Sequence, residues 1–451
     1  MSSDFGGDMQ FSEKLLYHIW DAQHLQKNLK TISSRSIKVL FPGRWNTGSG
    51  PDFKDAIIEI DGIVKRGDVE LEIDSFNWTL HEHDENPAFN RVILHVVYNH
   101  NGKYENTISE NGTPIDILEI SRFLDRDIAK LLLKYSDKTY EESSRYCSFF
   151  ADNDLDFLQS ILTKLGKERF ENKVNRFKAE HYFAEFDQLL WQGLLEALGY
   201  SKNKFQMLQL ALHLKINKLS KIYHEAELSE DELISLLLGT ADLLPDLPSI
   251  VPTETKLKWQ AIFSKQKHDF QPIKLEWKLF RIRPVNHPAL RIIQISKFIY
   301  SSLETSLFHN ILKLFSSSTK NFSLISFRKK LYEYFQDTSD YLPESLKLGK
   351  TRIDTILINI LLPITMVYAR EKRFKLLEDT IYQIYQDYPR LPSNYISKHM
   401  ERFMSDEQVK IFRKKALYQQ AILKLYYSNC KYQACNDCID LYKQYINENA
   451  L

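Results

Sequence analysis

The pattern of apolar residues changes near residue 150, and this change constrains the fold more than any other feature. Before it, short segments alternate apolar and polar residues and are rich in β-branched side chains, which is typical of strands. After it, apolar residues recur at helical spacing. The sequence therefore predicts an α+β domain over residues 1–150, followed by a large all-α domain over residues 151–451 that could break near 245–288.

The first domain is predicted to hold one helix followed by a sheet. Ser12 can cap the helix, whose apolar side carries Leu15, Leu16 and Ile19. The segments that predict strands are 36–41, 55–60, 67–73 and 91–98, with a weaker fifth at 115–120. Asp61-Gly62, between the second and the third, is a hairpin signal. We expect an antiparallel meander or a mixed sheet.

Charge and hydropathy exclude some classes of protein. The chain has 451 residues and a net charge of +1, which excludes a strongly basic nucleic-acid binder but not a local basic groove. Its start has neither the basic region nor the apolar run of a signal peptide. The longest apolar stretch, 355–369, is interrupted by Asn359 and Pro363, is too short for a membrane span, and predicts a buried helix. We expect a cytoplasmic protein without membrane association.

Four acidic residues alternate with apolar ones in the predicted strand 67–73 and just beyond it. Asp68, Glu70, Glu72 and Asp74 would share one face of the strand. One interpretation is the solvated face of an ordinary antiparallel sheet. The other is a metal site, because acids are depleted in strands and a row of like charges needs a compensating cation such as Mg²⁺ or Mn²⁺. Asp52 would join this site if the ends of the hairpin curve together.

These residues resemble the PD-(D/E)xK phosphodiesterase superfamily. Pro51-Asp52 matches its first element, Glu70-x-Glu72 its second, and Glu13 on the first helix its third. The resemblance implies a PD-(D/E)xK-like fold in which Asp52 and Glu70 hold Mg²⁺ or Mn²⁺ and Glu13 positions water or a second ion. Glu72 stands where the superfamily usually has lysine, and would be a further ligand or a general base. The substrate implied is DNA or RNA.

A histidine cluster follows the acidic strand. His81, His83, Asp84 and His95 lie close together in the sequence. His81 and His83 are two residues apart, so in an extended segment they face the same way. With Asp84 they could ligate zinc, or act as acid or base beside the carboxylates. The alternative is structural, above all for His95, which lies inside an apolar strand.

A longer pattern resembles the uncharacterised bacterial family catalogued as domain of unknown function 2851. The segments that carry it are "GRWNTGSGPDF", "GDVELEI", "WTLHEHDENPAFNRVILHVV" and "RPVNHPALRIIQIS". The C-terminal cysteines fit that family as well, so the resemblance extends over nearly the whole chain. The family has no established activity. The resemblance therefore implies one coherent bacterial protein and no particular reaction.

Three of the four cysteines form a Cys-x4-Cys-x2-Cys motif. Cys430, Cys435 and Cys438 have a spacing that suits Zn²⁺ or an iron–sulfur cluster, and Cys147 is the candidate for the fourth ligand. The pattern resembles helicase-associated nucleases that hold an iron–sulfur cluster with one distant cysteine and a C-terminal trio. The alternative is a helix in which the cysteines are small buried residues.

A basic and aromatic segment lies between the two halves of the helical region. Residues 274–291 include five lysines and arginines, with Trp277 and Phe280 between them. Such a segment can contact phosphates and stack on bases, or it can be a solvated loop that leads into a helix at Pro288.

Two classes of function follow from these patterns. The first is a divalent-metal-dependent nuclease with its site on Asp52, Glu70 and Glu72. The second is a non-catalytic binding or scaffold protein whose helical domain is the interaction surface.

Overall fold

The protein is described from a computed structural model that covers residues 11–136, 147–266, 270–316, 322–336, 347–438, 440, 443 and 444. The chain forms two compact units. The first comprises residues 1–165, 395–409 and 421–451, and the second comprises 166–394 and 410–420. The segments after residue 394 thus return in part to the unit that holds the sheet.

The first unit is built on one mixed sheet. Its strands are β1 Leu29–Lys30, β2 Ser36–Phe41, β3 Arg44–Trp45, β4 Phe53–Ile60, β5 Ile63–Asp74, β6 Val92–Asn99, β7 Asn106–Ile108 and β8 Pro114–Glu119. The spatial order is β1-β2-β4-β5-β6-β8-β7, with β3 also paired to β4. The pairs β5–β6 and β6–β8 are parallel and the others are antiparallel. The expected meander is therefore wrong beyond β5, and the mixed sheet is confirmed.

The connection after β5 explains the parallel pairing. It contains the short helix α2 (Asn77–Leu80) and two 3₁₀ turns at His83–Glu85 and Pro87–Phe89. A connection of this length lets the chain re-enter the sheet in the same direction, which a tight hairpin cannot do. Gly67 allows β5 to approach β6 closely, because a Cβ there would lie 2.3 Å from Cγ2 of Ile93.

Helix α1 (Glu13–Ala22) covers this sheet. Leu16, Ile19 and Trp20 are fully buried and pack in one cluster with the sheet residues. Burial of each such side chain contributes about 1.5–3 kcal/mol. Ser12 occupies the N-cap position as predicted, but its side chain makes no capping hydrogen bond. Tertiary packing rather than capping therefore holds this helix.

The remaining described helices follow the sheet in the chain. They are α3 Ile128–Tyr135, α4 Ser148–Ala151, α5 Leu155–Glu180, α6 Phe186–Leu198, α7 Lys204–His213, α8 Ile216–Ala226, α9 Glu230–Thr240, α10 Thr253–Gln266, α11 Pro288–Leu303, α12 Leu307–Ser316, α13 Leu324–Gln336, α14 Lys350–Ile356, α15 Leu362–Glu371, α16 Lys375–Asp387, α17 Tyr395–Glu401, α18 Asp406–Phe412 and α19 Ala416–Ser428. The predicted large helical region is confirmed. The helix expected at 230–244 ends at Thr240, because Asp242 adopts the left-handed conformation.

A continuous helix from Lys350 to Glu371 contains the apolar stretch noted above, with a π-helical turn at Leu357–Leu361 between α14 and α15. By length and composition it is the one helix in the described part of the chain that could cross a membrane, and 78% of its most apolar window is buried within the protein. This burial agrees with the buried helix that the sequence predicts.

Candidate active site

A hydrogen-bonded turn brings Asp52 to the acidic strand. The side-chain amide of Asn46 donates to the carbonyl of Pro51 at 3.0 Å, and its backbone N–H donates to the carbonyl of Asp52 at 2.7 Å. The Asp52 carboxylate then accepts from the backbone N–H of Leu71 at 3.1 Å, and the Asp52 N–H donates to Glu70 Oε2 at 3.0 Å. The ends of the β4–β5 hairpin do curve together, so Asp52 and Glu70 are adjacent.

Three histidines surround Glu72. Its Oε1 lies 2.9 Å from Nδ1 of His81 and 3.5 Å from Nε2 of His83, and its Oε2 lies 3.0 Å from Nε2 of His95. His81 and His83 come from the connection after β5, which Trp78 anchors by donating from its indole N–H to the carbonyl of Ile108 at 3.0 Å. His95 comes from the neighbouring parallel strand, opposite Glu70. The parallel pairing thus completes the cluster.

The ligand atoms of Glu72, His81 and His83 all lie within 4.8 Å of one another, the one such set among the described residues. Oε1 of Glu70 lies 3.3 Å from Nε2 of His83 and extends the set. Two imidazoles with carboxylates suit Mn²⁺ or Zn²⁺ better than Mg²⁺, which prefers oxygen ligands. The positions of His81 and His83 therefore suit metal ligands at least as well as they suit acids or bases.

The electrostatics show an excess of negative charge. Burial, then the charges of Glu70, Glu13 and Asp52, raise the pKa of Glu72 to about 9. Burial and the charge of Glu70 raise the pKa of Asp52 to about 7. Among the described residues no lysine or arginine forms an ion pair with Asp52, Glu70 or Glu72. Asp52 and Glu72 consequently hold protons near neutral pH, or they require a cation.

The solvated-face interpretation of the acidic strand is wrong for its central residues. Glu72 is 1% exposed, and Asp68 and Glu70 are also buried. Asp68 belongs to a different group, since it accepts from the backbone N–H of Asp55 at 3.0 Å and lies 3.8 Å from the Arg91 guanidinium. In β5, therefore, Asp68 has an arginine partner, whereas Glu70 and Glu72 have none among the described residues.

His95 has a supporting position. It is fully buried, and burial lowers its pKa to about 3, so its ring is neutral. Its Nδ1 has no hydrogen-bond partner among the described residues, so we place its single proton on Nε2, donating to Glu72. The sequence indicated a structural role for His95 inside an apolar strand, but gave no sign that its partner is Glu72.

Helix α1 contributes two groups to the site. Glu13, a predicted member, is close enough for its charge to raise the pKa values of Asp52 and Glu72. Tyr17, one turn later, hydrogen-bonds to Asp52, and burial followed by that carboxylate raises the pKa of its hydroxyl. Sequence analysis missed Tyr17. Its spacing of four residues from Glu13 on one helix face was the available signal.

The four cysteines lie in the first unit and are free thiols. Cys147 precedes α4, Cys430 begins a 3₁₀ turn, and residues 435–438 are helical. Burial, then the charges of Cys438, Cys147 and Cys435, raise the pKa of Cys430. Burial, with Cys147 and Cys435, raises that of Cys438 to about 11. Cys147 therefore lies near the C-terminal trio despite the long separation in sequence.

The basic segment lies in the second unit and has no regular structure before Pro284. Trp277 donates from its indole N–H to the carbonyl of Ala241 at 2.8 Å and packs against the helical core. It is not free to stack on a base. Phe280 is exposed, so its ring remains available for stacking on a base.

The fold and the site define a mixed-sheet protein with a buried carboxylate–histidine cluster and a large helical region. The family model described as "Protein of unknown function (DUF2851)" matches residues 13–392, and the chain belongs to that family. The matched residues include the whole candidate site and Cys147, and they end before Cys430. No curated protein and no solved structure matches the chain.

Proposed function

We propose that this protein is a divalent-metal-dependent phosphodiesterase that acts on nucleic acid. The observation that carries the proposal is the convergence of Asp52, Glu70 and Glu72 with His81 and His83, without a lysine or arginine partner in the described chain. A cluster of perturbed carboxylates and histidines is the pattern expected of a functional site. The order of α1, the Pro-Asp turn and Glu70-x-Glu72 on the next strand supports a PD-(D/E)xK type of site.

The donor set fits a divalent ion. Glu72, His81 and His83 would hold it, with Glu70 beside His83, and the two imidazoles favour Mn²⁺ over Mg²⁺. A bound ion would supply Lewis-acid polarisation of the phosphate and activation of a water molecule.

The surrounding residues suit the proton transfers of hydrolysis. The ionised carboxylate of Asp52 can accept a proton from the attacking water, since it lies directly beside Glu70. The Tyr17 hydroxyl and the Leu71 N–H hold its carboxylate in place.

Cleavage of labelled single- and double-stranded DNA and RNA tests the proposal. We expect cleavage with Mn²⁺, weaker cleavage with Mg²⁺, and none with EDTA. Glu70→Gln and Asp52→Asn should each lower the rate by about 100-fold or more. Asp74→Asn is the matched control, because Asp74 lies at the end of the same strand outside the cluster.

Equal activity of the folded variants, or no cleavage of any substrate, would contradict the nuclease. The second candidate function, a scaffold protein, would then gain support. It is favoured by the near-zero net charge and by the extent of the helical region.

We also propose that the four cysteines hold a metal centre. A tetrahedral zinc site has Zn–S bonds of about 2.3 Å, which bring its sulfurs to within about 4 Å of one another. The charges of the four thiols interact, so they lie in one part of the first unit. The resemblance to nucleases that use one distant cysteine and a C-terminal trio favours an iron–sulfur cluster, in which the thiolates bind different iron atoms.

Metal analysis and absorption spectra of anaerobically purified protein test this centre. We expect iron and sulfide together with the visible absorption of a thiolate-ligated cluster, and their loss in Cys147→Ser. Zinc in place of iron would identify a zinc site. Absence of both metals would contradict the centre.

A further inference from the structure

Two arginines of the second unit face the same tyrosine ring. Cζ of Arg352, on α14, lies 3.3 Å from the centroid of the Tyr200 ring, and Cζ of Arg291, on α11, lies 4.7 Å from it. Tyr200 follows α6 and adopts a left-handed conformation with φ of 53°. Such a conformation is costly for a large side chain, which marks Tyr200 as held by its surroundings.

All hydrogen-bond partners of the two guanidinium groups among the described residues are neutral. Arg291 donates to Oε1 of Gln294 at 2.6 Å, to Oδ1 of Asn286 at 2.6 Å, and to the Tyr200 hydroxyl. Arg352 donates to the carbonyl of Ala197 at 3.3 Å. Neither arginine forms an ion pair with any residue that the structure describes. Two like charges therefore lie together without a carboxylate.

This arrangement differs from that of another largely buried arginine in the same unit. Arg291 is 4% exposed and its Nε finds no partner in the described chain. Burial lowers the pKa of both arginines, that of Arg352 to about 10 with the charge of Arg291 adding to the effect. Arg176, also largely buried, instead donates to both Glu180 and Glu196. A buried arginine is normally compensated in this way, and the missing anion is the distinctive feature of the pair.

The pair lies beside an exposed basic surface. Asn286, Tyr200 and Arg352 are only partly buried, and Arg281 and Arg283 are exposed. Lys202 donates to the carbonyl of Phe280 at 2.8 Å, and Cζ of Arg281 lies 5.0 Å from the Phe280 ring, which is itself 77% exposed. Positive charge next to an exposed aromatic ring suits a single nucleic-acid strand.

We propose that Arg291 and Arg352, with Asn286 and Tyr200, form a site for a phosphate group. Arginine matches the geometry of phosphate oxygens, and a charge-assisted hydrogen bond is stronger than the neutral ones now present. The favoured source is a backbone phosphodiester, whose neighbouring base would stack on Phe280. That choice of source rests on the proposed nuclease function, whereas binding of phosphate itself does not.

Binding in EDTA tests this site separately from cleavage. The affinity of a short labelled single strand is measured against salt concentration for the wild type, Arg352→Gln and Arg352→Lys. We expect about tenfold weaker binding for Arg352→Gln, with a salt slope smaller by about one, and partial recovery in Arg352→Lys. Lys350→Gln is the matched control, because Lys350 is an exposed cation on the same helix.

The second measurement is the melting temperature in inorganic phosphate and in chloride at equal ionic strength. Phosphate should stabilise the wild type and Lys350→Gln, and should not stabilise Arg352→Gln. Stabilisation by phosphate with unchanged oligonucleotide affinity would uphold the site and assign it to a free phosphate or a small phosphorylated ligand. A melting temperature lowered in Arg352→Gln, without any phosphate effect in the wild type and without loss of strand affinity, would overturn the proposal.

Discussion

The two units contain buried charge clusters of opposite sign. In the first unit Asp52, Glu70 and Glu72 meet without a lysine or arginine partner, and in the second unit Arg291 and Arg352 meet without a carboxylate, as far as the described residues extend. Burying a charge is costly unless it is paired. Each cluster therefore lacks a counter-charge that a ligand can supply, a cation in one case and an anion in the other.

Compensated clusters elsewhere in the chain make the difference informative. Arg176 lies between Glu180 and Glu196, and Asp354 accepts from Tyr332 at 2.7 Å and from Arg328 at 3.4 Å. These groups need no ligand, because their charges are neutralised within the fold. The comparison teaches that buried charge alone does not distinguish the two proposed sites, and that the lack of an oppositely charged partner among the described residues separates them from these groups.

The largest effect on the free energy of unfolding should come from two glutamine substitutions, one in a compensated cluster and one in the acidic cluster. Glu196→Gln leaves Arg176 with one carboxylate fewer, so the free energy of unfolding should fall by about 3 kcal/mol. Glu72→Gln removes an uncompensated group and imitates its protonated form. At pH 8 without metal it should raise the free energy of unfolding by at least about 1 kcal/mol.

Denaturant unfolding of the two variants in EDTA makes this measurement. If both variants lose stability to a similar degree, Glu72 is an ordinary compensated residue and the comparison fails.

The sequence predicted those parts of this picture that depend on local chemistry. Asp61-Gly62 does close the β4–β5 hairpin, and the Pro51-Asp52 turn does meet Glu70. Local patterns could not show that the segment after β5 returns parallel, which is what brings His95 to Glu72. The alternation at 68–74 also concealed that the acids are buried, because a strand covered on both faces can have the same pattern as a solvated one.

The sequence could not predict the pairing of Arg291 and Arg352, for a similar reason. Tyr200, Arg291 and Arg352 come from three separate segments, and only tertiary packing brings them together. Arg291 was noted as part of a basic segment, and nothing near it in sequence shows that it is buried. The sequence shows that a segment is basic, but only the fold shows whether its charges have partners of opposite sign.

A smaller effect is expected from Tyr17, which we expect to position Asp52 rather than to bind a metal ion. The Tyr17 hydroxyl bond favours the ionised form of Asp52, so Tyr17→Phe should raise the pKa of Asp52 further. The acid limb of the pH–rate profile for cleavage should then move upward by about half a pH unit to one unit, roughly the contribution of one hydrogen bond, with little change at high pH. A uniform rate loss at every pH would instead assign Tyr17 a purely structural role.

The most direct test of the account is the free energy of unfolding at pH 5.5 and pH 8, with EDTA and with saturating Mn²⁺. The pKa values of Asp52 and Glu72 are raised to about 7 and about 9, so the folded protein keeps protons that the unfolded chain has lost above about pH 4. Their contribution therefore makes the metal-free protein less stable as the pH rises.

The difference between wild type and Glu72→Gln isolates this contribution from that of other titrating groups. The account predicts that in EDTA the wild type loses more stability than Glu72→Gln between pH 5.5 and pH 8, and that Mn²⁺ removes the loss in the wild type alone. Identical pH dependence of the two proteins, with no stabilisation of the wild type by Mn²⁺, would contradict a metal site at the acidic cluster.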